Sequence, residues 1–205
     1  MSDFLIYGIG FSAQLLFSAR LLIQWFLSEK NKKIVTPSIF WILSLLGAIL
    51  LFIYGFYRKD APIMFGQTLT YFIYIRNLQL QNNWHKIGKY IRWLIIGIPF
   101  VLLFIAFLTN GIKQDFKFLS EMPWWLYSLG IIAQITFTFR FIYQWIYSER
   151  KGISTLSVGF WKISALGASL ILIYALYRKD PVLTFAHLFG LMIYLRNIYI
   201  GKKSN

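Results

Sequence analysis

The sequence lacks cysteine and has few charged residues. None of its 205 residues is cysteine, which excludes disulfides and thiolate metal sites. Only 14% of the residues are charged, whereas soluble domains average about 25%. The chain also lacks a glycine-rich phosphate loop, a paired-histidine motif and a serine nucleophile elbow. We therefore expect no enzyme, no catalytic residues, no metal, no cofactor and no nucleic-acid partner.

The chain instead contains seven long apolar runs. Apolar residues make up 58% of the chain and aromatic residues 20%. Apolar runs near 20 residues are typical of transmembrane helices, and their continuity excludes the alternating strands of a membrane barrel. We predict an all-α, polytopic membrane protein whose first run is a retained helix and not a signal peptide. The runs are Phe4–Leu27, Ser38–Tyr57, Ala61–Leu80, Trp93–Leu108, Trp124–Tyr147, Val158–Tyr177 and Pro181–Ile200.

The basic residues predict an orientation in the membrane. The net charge is +14. If the helices alternate in direction, ten lysines and arginines lie on one side and six on the other. The side with more lysine and arginine faces the cytoplasm. This places the N-terminus outside and the C-terminus in the cytoplasm.

The chain contains one long internal repeat at an offset of 120 residues. From Tyr7 to Leu80 the offset needs no gap, and roughly four positions in ten are identical. A unit of this length is longer than a solenoid repeat. The fourth run has no counterpart, so we predict a 3+1+3 arrangement in which a linker helix keeps two parallel three-helix repeats in one orientation. The predicted domains are 1–80, 81–122 (connection, linker helix and outer loop) and 123–205.

Glycines and aspartates predict helix packing and helix ends. Gly47 and Gly167 fall in the middle of helices, where a small residue lets another helix approach closely. Asp180 precedes a proline at the start of the last run and is predicted to cap it, and Asp60 has nearly the same position in the first copy. The longest outer loop is predicted at Asn110–Pro123.

Polar residues inside the predicted helices form the candidate site. Arg20, Gln24 and Ser28 are spaced by four residues and therefore share one helix face. Charged residues in hydrocarbon are costly and need partners. The predicted helices contain four arginines in corresponding positions of the two copies, two more than the nearby glutamates. This surplus of positive charge suits a phosphate or pyrophosphate. We expect a basic cavity toward the cytoplasmic leaflet, with Arg20, Arg140, Arg76 and Arg196 as the phosphate ligands.

Further polar residues are expected to recognise sugar hydroxyls or to support the site. The candidate glycan ligands are Gln24, Gln144, Asn77, Asn197, Tyr74, Tyr194, Gln67 and His187. The supporting residues are Glu29, Glu149, Trp25, Trp145, Trp41 and Trp161, the tryptophans stacking on a sugar ring.

Each of these roles has a structural alternative. Arg20 pairs with Glu29 of its own copy or with another helix, and Arg76 and Arg196 extend to the headgroups. The tryptophans anchor helix ends at the membrane interface. His187, which replaces Gln67 in the second copy, either couples transport to protons or is a satisfied core residue.

These motifs resemble a known family of three-helix bacterial membrane modules. The first copy carries Arg20…Gln24-Trp25…Ser28-Glu29, then Phe40-Trp41…Ser44…Gly47, Tyr54…Arg58-Lys59-Asp60 and Gly66-Gln67…Tyr74…Arg76-Asn77. This pattern resembles the lipid A biosynthesis N-terminal domain, which precedes the glycosyltransferase domain of some lipid-A-disaccharide synthases. The second copy matches, but departs at Ala186-His187 and at Ser157, where the first has Pro37. The resemblance also implies similarity to the SWEET and PQ-loop transporter group.

The resemblance implies a function in cell-envelope glycolipid synthesis. We expect a protein of the bacterial inner membrane, with its N-terminus periplasmic, that binds and translocates an anionic lipid-linked sugar. The substrate class is a polyprenyl-phosphate sugar or a lipid A precursor, and membrane lipids are further partners. Two alternatives stay open: a SWEET-like facilitator of a small soluble sugar, and a non-catalytic membrane partner of a glycosyltransferase.

Overall fold

The fold is all-helical throughout the part of the chain that the structure describes. This computed structural model describes residues 2–58, 61–109, 123–177, 179 and 181–203. All regular structure in these ranges is helical, which confirms the predicted class. The α-helices are α1 (Asp3–Asn31), α2 (Ser38–Tyr57), α3 (Ala61–Leu80), α4 (Lys89–Leu108), α5 (Trp124–Lys151), α6 (Val158–Tyr177) and α7 (Pro181–Lys203), and a short 3₁₀ helix spans Trp84–Lys86.

Within the described residues, five helices are long and apolar enough to cross a membrane. They are α1, α2, α4, α5 and α6. The other two, α3 and α7, have 20 and 23 residues and so a sufficient length of about 30 Å or more. The chain thus has the character of a membrane protein, while seven spans in a 3+1+3 arrangement stay a prediction.

The helices form two compact units whose boundary lies inside α1. The first unit contains residues 2–20 and 37–109, and the second contains 21–36 and 123–203. Residues 21–31, the last part of the first helix, therefore belong to the unit that also holds the second repeat. The repeats are defined by sequence and the units by contacts, so the predicted domain bounds stay a prediction.

In the first unit, α2 packs against α3, and α4 packs against both. Phe52, Met64 and Ala106 form a buried cluster that joins the three helices. Phe72 of α3 packs on Phe100 of α4, with ring centroids 5.6 Å apart. The linker helix is thereby part of the core of the first unit.

A proline in α4 creates a local defect that α3 repairs. Pro99 lies inside the helix and has no N–H, so it cannot donate to the carbonyl of Ile95 four residues earlier. The Tyr71 hydroxyl of α3 donates to that carbonyl at 2.9 Å. In an apolar environment an unsatisfied carbonyl is costly. The second copy has Leu191 at the position of Tyr71.

Glycines give close helix contacts in both units, as predicted. An added Cβ would lie 2.8 Å from the Phe17 ring at Gly47 and 2.9 Å from the Phe137 Cα at Gly167. Helices α5 and α6 have a second close contact, because a Cβ added to Gly130 of α5 would lie 2.9 Å from the Tyr174 ring of α6. Helix α5 thus packs on α6, which in turn packs on α7.

Some predicted features fall outside the described residues. Asp60 and Asp180, the predicted caps, lie there, as do residues 110–122 of the predicted outer loop. Those features stay predictions.

Candidate functional site

The first unit holds a buried arginine surrounded by aromatic rings. Arg20 of α1 is only 5% exposed. Its guanidinium carbon lies 4.6 Å from the ring centroid of Phe17, 4.9 Å from that of Phe40 and 5.6 Å from that of Tyr74. One of its terminal nitrogens donates to the Ser44 hydroxyl at 2.5 Å. We call these five residues the first arginine cage.

The second unit holds an equivalent cage around Arg140, which is 6% exposed. Its guanidinium carbon lies 3.4 Å from the ring centroid of Phe137, 4.8 Å from that of Phe141 and 5.9 Å from that of Phe160. One of its terminal nitrogens donates to the Tyr194 hydroxyl at 3.2 Å. These five residues form the second arginine cage. In both cages the negative faces of aromatic rings stabilise a cation that has left water.

A tryptophan lies against each cage. Trp41 and Trp161 are fully buried, and a side chain with no exposed surface does not anchor a helix end at the membrane interface. Their rings lie 6.0 Å from Tyr74 and 5.8 Å from Tyr194. Both indole N–H groups lack a hydrogen-bond acceptor among the described residues. Buried donors rarely remain unsatisfied in folded proteins, and here the same atom is unsatisfied in both copies.

The candidate glycan ligand Gln24 fastens three segments of the second unit together. Its amide nitrogen donates to the Ser28 hydroxyl at 2.8 Å, the Val35 carbonyl at 3.3 Å and the Asn197 side-chain oxygen at 2.9 Å. Asn197 in turn donates to the carbonyl of Ile193 at 3.0 Å. These bonds join α1, the connection after it and α7.

Gln144 holds the corresponding connection after α5. Its amide nitrogen donates to the Ser148 hydroxyl at 2.8 Å and to the Thr155 carbonyl at 3.3 Å. The two connections also meet each other, because the Leu156 N–H donates to the Thr36 hydroxyl at 2.9 Å. In this structure the buried glutamines hold backbone in place.

The other two candidate phosphate ligands lie at the surface of the protein. Arg196 forms a two-pronged ion pair with Glu29, one contact of which is 3.1 Å. Glu29 therefore pairs with α7, in contrast to the pairing with Arg20 of its own helix that the sequence left open. The Trp25 indole also donates to Glu29 at 3.0 Å. Arg76 donates to Gln79 at 3.1 Å.

The remaining candidates lie beside these features. Trp145 donates to Glu149 at 3.0 Å, as Trp25 does to Glu29. Asn77 is fully buried and donates to the carbonyl of Ile73 at 2.8 Å. The half-buried His187 ring packs edge-on against Phe137, with centroids 5.1 Å apart, and so adjoins the second arginine cage. The half-buried Gln67 lines the same small cavity as Tyr71 and Pro99.

Sequence reasoning missed the phenylalanines that face the arginines. Phe17 and Phe137 each lie three residues before an arginine on the same helix, and they are identical in the two copies. That spacing puts a ring and a cation on one helix face. This spacing could have identified the two phenylalanines. Phenylalanine is common in apolar helices, however, so the sequence alone does not distinguish these two from their neighbours.

The chain matches the Lipid A Biosynthesis N-terminal domain family twice, over residues 9–79 and 129–199. The chain belongs to this family. The two matched segments contain both arginine cages and are separated by an unmatched stretch that includes α4. The sequence resemblance to the lipid A biosynthesis N-terminal domain and the internal duplication are thereby confirmed.

Curated relatives of this lipid A biosynthesis domain protein are longer chains. It is 30% identical to the lipid-A-disaccharide synthase of Chlamydia felis (strain Fe/C-56), over 98% of this chain and 34% of the relative. It is 32% identical to that of Chlamydia muridarum (strain MoPn / Nigg) and 31% identical to that of Chlamydia trachomatis serovar D, over 97% of this chain. The chain thus spans about a third of the length of these relatives. No solved structure matches it, so similarity to the SWEET and PQ-loop group stays an expectation.

Proposed function

We propose that this chain binds an anionic lipid-linked sugar of lipid A or related cell-envelope glycolipid synthesis and moves it across the bacterial inner membrane. The substrate class is a polyprenyl-phosphate sugar or a lipid A precursor. Membership of the lipid A biosynthesis domain family supports the pathway. The observation that carries the proposal is the pair of buried arginines, Arg20 and Arg140, in helices apolar enough to span a membrane.

Buried arginines in membrane helices favour a functional explanation. Ionisable residues within membrane spans are costly and mark substrate or ion pathways. Each guanidinium here lies over aromatic rings and beside a hydroxyl. Cation–π contacts contribute about 0.5–2 kcal/mol. Hydrogen bonds that involve a charged group contribute about 1.5–3 kcal/mol each, and arginine can make two to a phosphate. In the proposal a phosphate therefore replaces ring contacts at the arginine of each unit.

Other side chains have secondary roles in the proposal. The indole N–H groups of Trp41 and Trp161 offer a donor beside each arginine cage. Tyr74 and Tyr194, which contact the arginines, and His187, which adjoins the second cage, are the first candidates for sugar hydroxyls. Gln24 and Gln144 hold backbone, so their use by a ligand requires the connections to open.

The proposed topology follows the sequence prediction. All seven α-helices span the membrane in a 3+1+3 arrangement, with the N-terminus periplasmic and the C-terminus cytoplasmic. The positive-inside bias supports this orientation. The proposal assigns the chain no catalytic step of its own.

Translocation tests the proposal directly. The purified chain is reconstituted in liposomes with a fluorescent polyprenyl-phosphate sugar, and a membrane-impermeant quencher reports which leaflet the lipid occupies. We expect the protein to accelerate exchange and the Arg20→Ala, Arg140→Ala variant to lose at least about tenfold of that rate, since one lost charged hydrogen bond costs about 1.5–3 kcal/mol.

The matched control is Lys30→Ala with Arg150→Ala. These two residues also occupy equivalent positions in the copies, and both are exposed. Their substitution removes the same amount of positive charge as the Arg20, Arg140 variant. The control should keep the wild-type rate. Equal rates for the wild type and the Arg20, Arg140 variant would contradict the proposal, and uptake of a free sugar without lipid exchange would favour the facilitator.

A second candidate function is a membrane partner of a glycosyltransferase. The curated relatives favour it, because the chain covers only about a third of each lipid-A-disaccharide synthase that it matches. In this case the chain would co-purify with a separate glycosyltransferase and increase product formation at membranes. It would give no lipid exchange in the liposome experiment.

A further inference from the structure

A groove lined by aromatic and basic residues lies at the start of the linker helix. It has a volume of about 280 Å³ and is lined by Trp84, Lys89, Arg92, Trp93 and Ile96. The first of these belongs to the 3₁₀ helix, and the others to the first two turns of α4. The groove is outside the two segments that match the family, and it contains none of the arginine-cage residues.

The position of the groove is fixed by the connection before α4. Asn83 donates to the Ser38 hydroxyl at the start of α2. Its backbone N–H also donates to the Leu78 carbonyl at 3.2 Å. Trp84, which follows, is only 5% exposed and lines the groove.

The groove carries positive charge that nothing in the described part of the first unit is seen to neutralise. The Arg92 Nε is buried and has no hydrogen-bond partner among the described residues. Lys89 and Arg92 both lie in the first turn of α4, which has no acidic residue. A helix N-terminus carries partial positive charge, so two cationic side chains in the first turn are unfavourable there. A bound anion would compensate for this positive charge.

The same helix end offers unused backbone donors. Gly88 is the N-cap residue and has no side chain to cap the helix. The Arg92 N–H bonds to the Gly88 carbonyl at 3.1 Å, while the preceding N–H groups of the first turn lack intrahelical acceptors by geometry. Such N–H groups are well suited to phosphate oxygens.

Beyond the groove, α4 presents an apolar surface. Trp93 is 65% exposed, and Leu94, Phe100 and Phe104 along the same helix are similarly exposed. Helix α4 is apolar and long enough to span a membrane, so its charged end lies at headgroup depth and its apolar side chains at the depth of acyl chains. Tryptophan at such a depth is typical of membrane interfaces.

We infer that this groove binds the phosphate of an anionic membrane phospholipid, whose acyl chains lie along the apolar surface of α4. Lys89, Arg92 and the first-turn N–H groups bind the phosphate, and Trp84 and Trp93 flank the headgroup. The inferred site is independent of the substrate site proposed above. It would tether the linker helix, the element without a counterpart in the repeat, to an anionic leaflet.

Native mass spectrometry of the full chain in detergent tests this inference. The protein is mixed with equal amounts of phosphatidylglycerol and phosphatidylcholine, and the retained lipid is counted. We expect wild-type protein to retain phosphatidylglycerol preferentially and Lys89→Gln with Arg92→Gln to reduce that adduct by at least about tenfold, the effect of losing one charged hydrogen bond or more. Lys30→Gln with Arg150→Gln removes the same two charges elsewhere and should leave the adduct unchanged.

Two further arms keep the outcome decisive. Arg92→Lys retains the charge but loses the guanidinium geometry, and we expect an intermediate adduct from a variant that folds like wild type. Millimolar inorganic phosphate should leave the lipid bound. The inference is overturned by equal retention of the two lipids, by an undiminished adduct in the Lys89, Arg92 variant, or by displacement of the lipid by inorganic phosphate, which would indicate a site for free phosphate.

Discussion

Three polar side chains of the interior show different responses to an apolar environment. Tyr71 supplies a donor to the Ile95 carbonyl that a proline leaves without one. Gln24 divides its amide hydrogens among a hydroxyl, a backbone carbonyl and an asparagine. Arg20 lies over aromatic rings. At this scale the buried polar groups are mostly explained by backbone that needs partners, and the arginines stand out because rings and hydroxyls surround their charge.

The Tyr71 bond gives a prediction at the scale of one atom. Tyr71→Phe removes the donor and leaves the Ile95 carbonyl unsatisfied, so we expect the free energy of unfolding to fall by about 1–3 kcal/mol. Thermal or denaturant unfolding in detergent measures the change. Tyr90→Phe is the control, because Tyr90 lies on α4 and is 85% exposed.

A second substitution tests the cause. Pro99→Ala restores the N–H that an uninterrupted helix would donate to the Ile95 carbonyl. In this background Tyr71→Phe should cost less than about 0.5 kcal/mol, so the two substitutions should be strongly coupled. The same loss in both backgrounds would show that the Tyr71 hydroxyl has another role.

At the scale of helices, both copies have a close contact at the equivalent glycine, but the atoms that this glycine faces differ between the copies. Gly47 faces the Phe17 ring, whereas Gly167 faces the backbone of Phe137. The start of the second helix also differs between copies. In the first, the Phe40 N–H donates to the Pro37 carbonyl, and in the second, the Ser157 hydroxyl accepts from the Phe160 N–H at 3.3 Å. The departure at Ser157 is therefore a change of helix cap that preserves the helix.

The glycine contact gives a prediction at the scale of a helix pair. Gly167→Ala places a methyl group within 2.9 Å of the Phe137 Cα, so α5 and α6 must separate. We expect a loss of about 1–3 kcal/mol in the free energy of unfolding, because overpacking against backbone cannot be relieved by a side-chain rotation.

The matched control is Gly8→Ala. Gly8 lies in α1 with no atom within 4 Å of an added Cβ, so alanine there should be neutral or stabilising by up to about 1 kcal/mol, the helix-propensity difference. Unfolding of both variants under the same conditions decides the matter. A Gly167→Ala variant as stable as Gly8→Ala would contradict the close packing of these helices.

At the scale of the whole chain, the sequence predicted what depends on spacing and missed what depends on neighbours. Apolar runs and the repeat predicted the helices, and spacing by four residues predicted the shared face of Arg20 and Gln24. Spacing along one helix does not reveal which helix lies opposite. This is why the pairing of Glu29 with Arg196, and the grouping of residues 21–36 with the second repeat, could not be predicted.

The role of α4 was equally hidden in the sequence. The run predicted at Trp93–Leu108 begins four residues earlier, at Lys89, because the hydropathy signal ends where the charged first turn begins. Those charged residues, with Trp84 before them, form the groove. Only folding brings a residue of the connection next to the first turns of the linker helix.

The central claim is that the buried arginines bind the phosphate of a lipid-linked sugar. Its most direct test is an experimental structure of the full chain in lipid with a bound polyprenyl-phosphate sugar. We predict phosphate density within hydrogen-bonding distance of the Arg20 or Arg140 guanidinium, displaced from the rings that surround it here. A bound lipid-linked sugar whose phosphate lies elsewhere, with both arginines still inside their aromatic cages, would contradict the account.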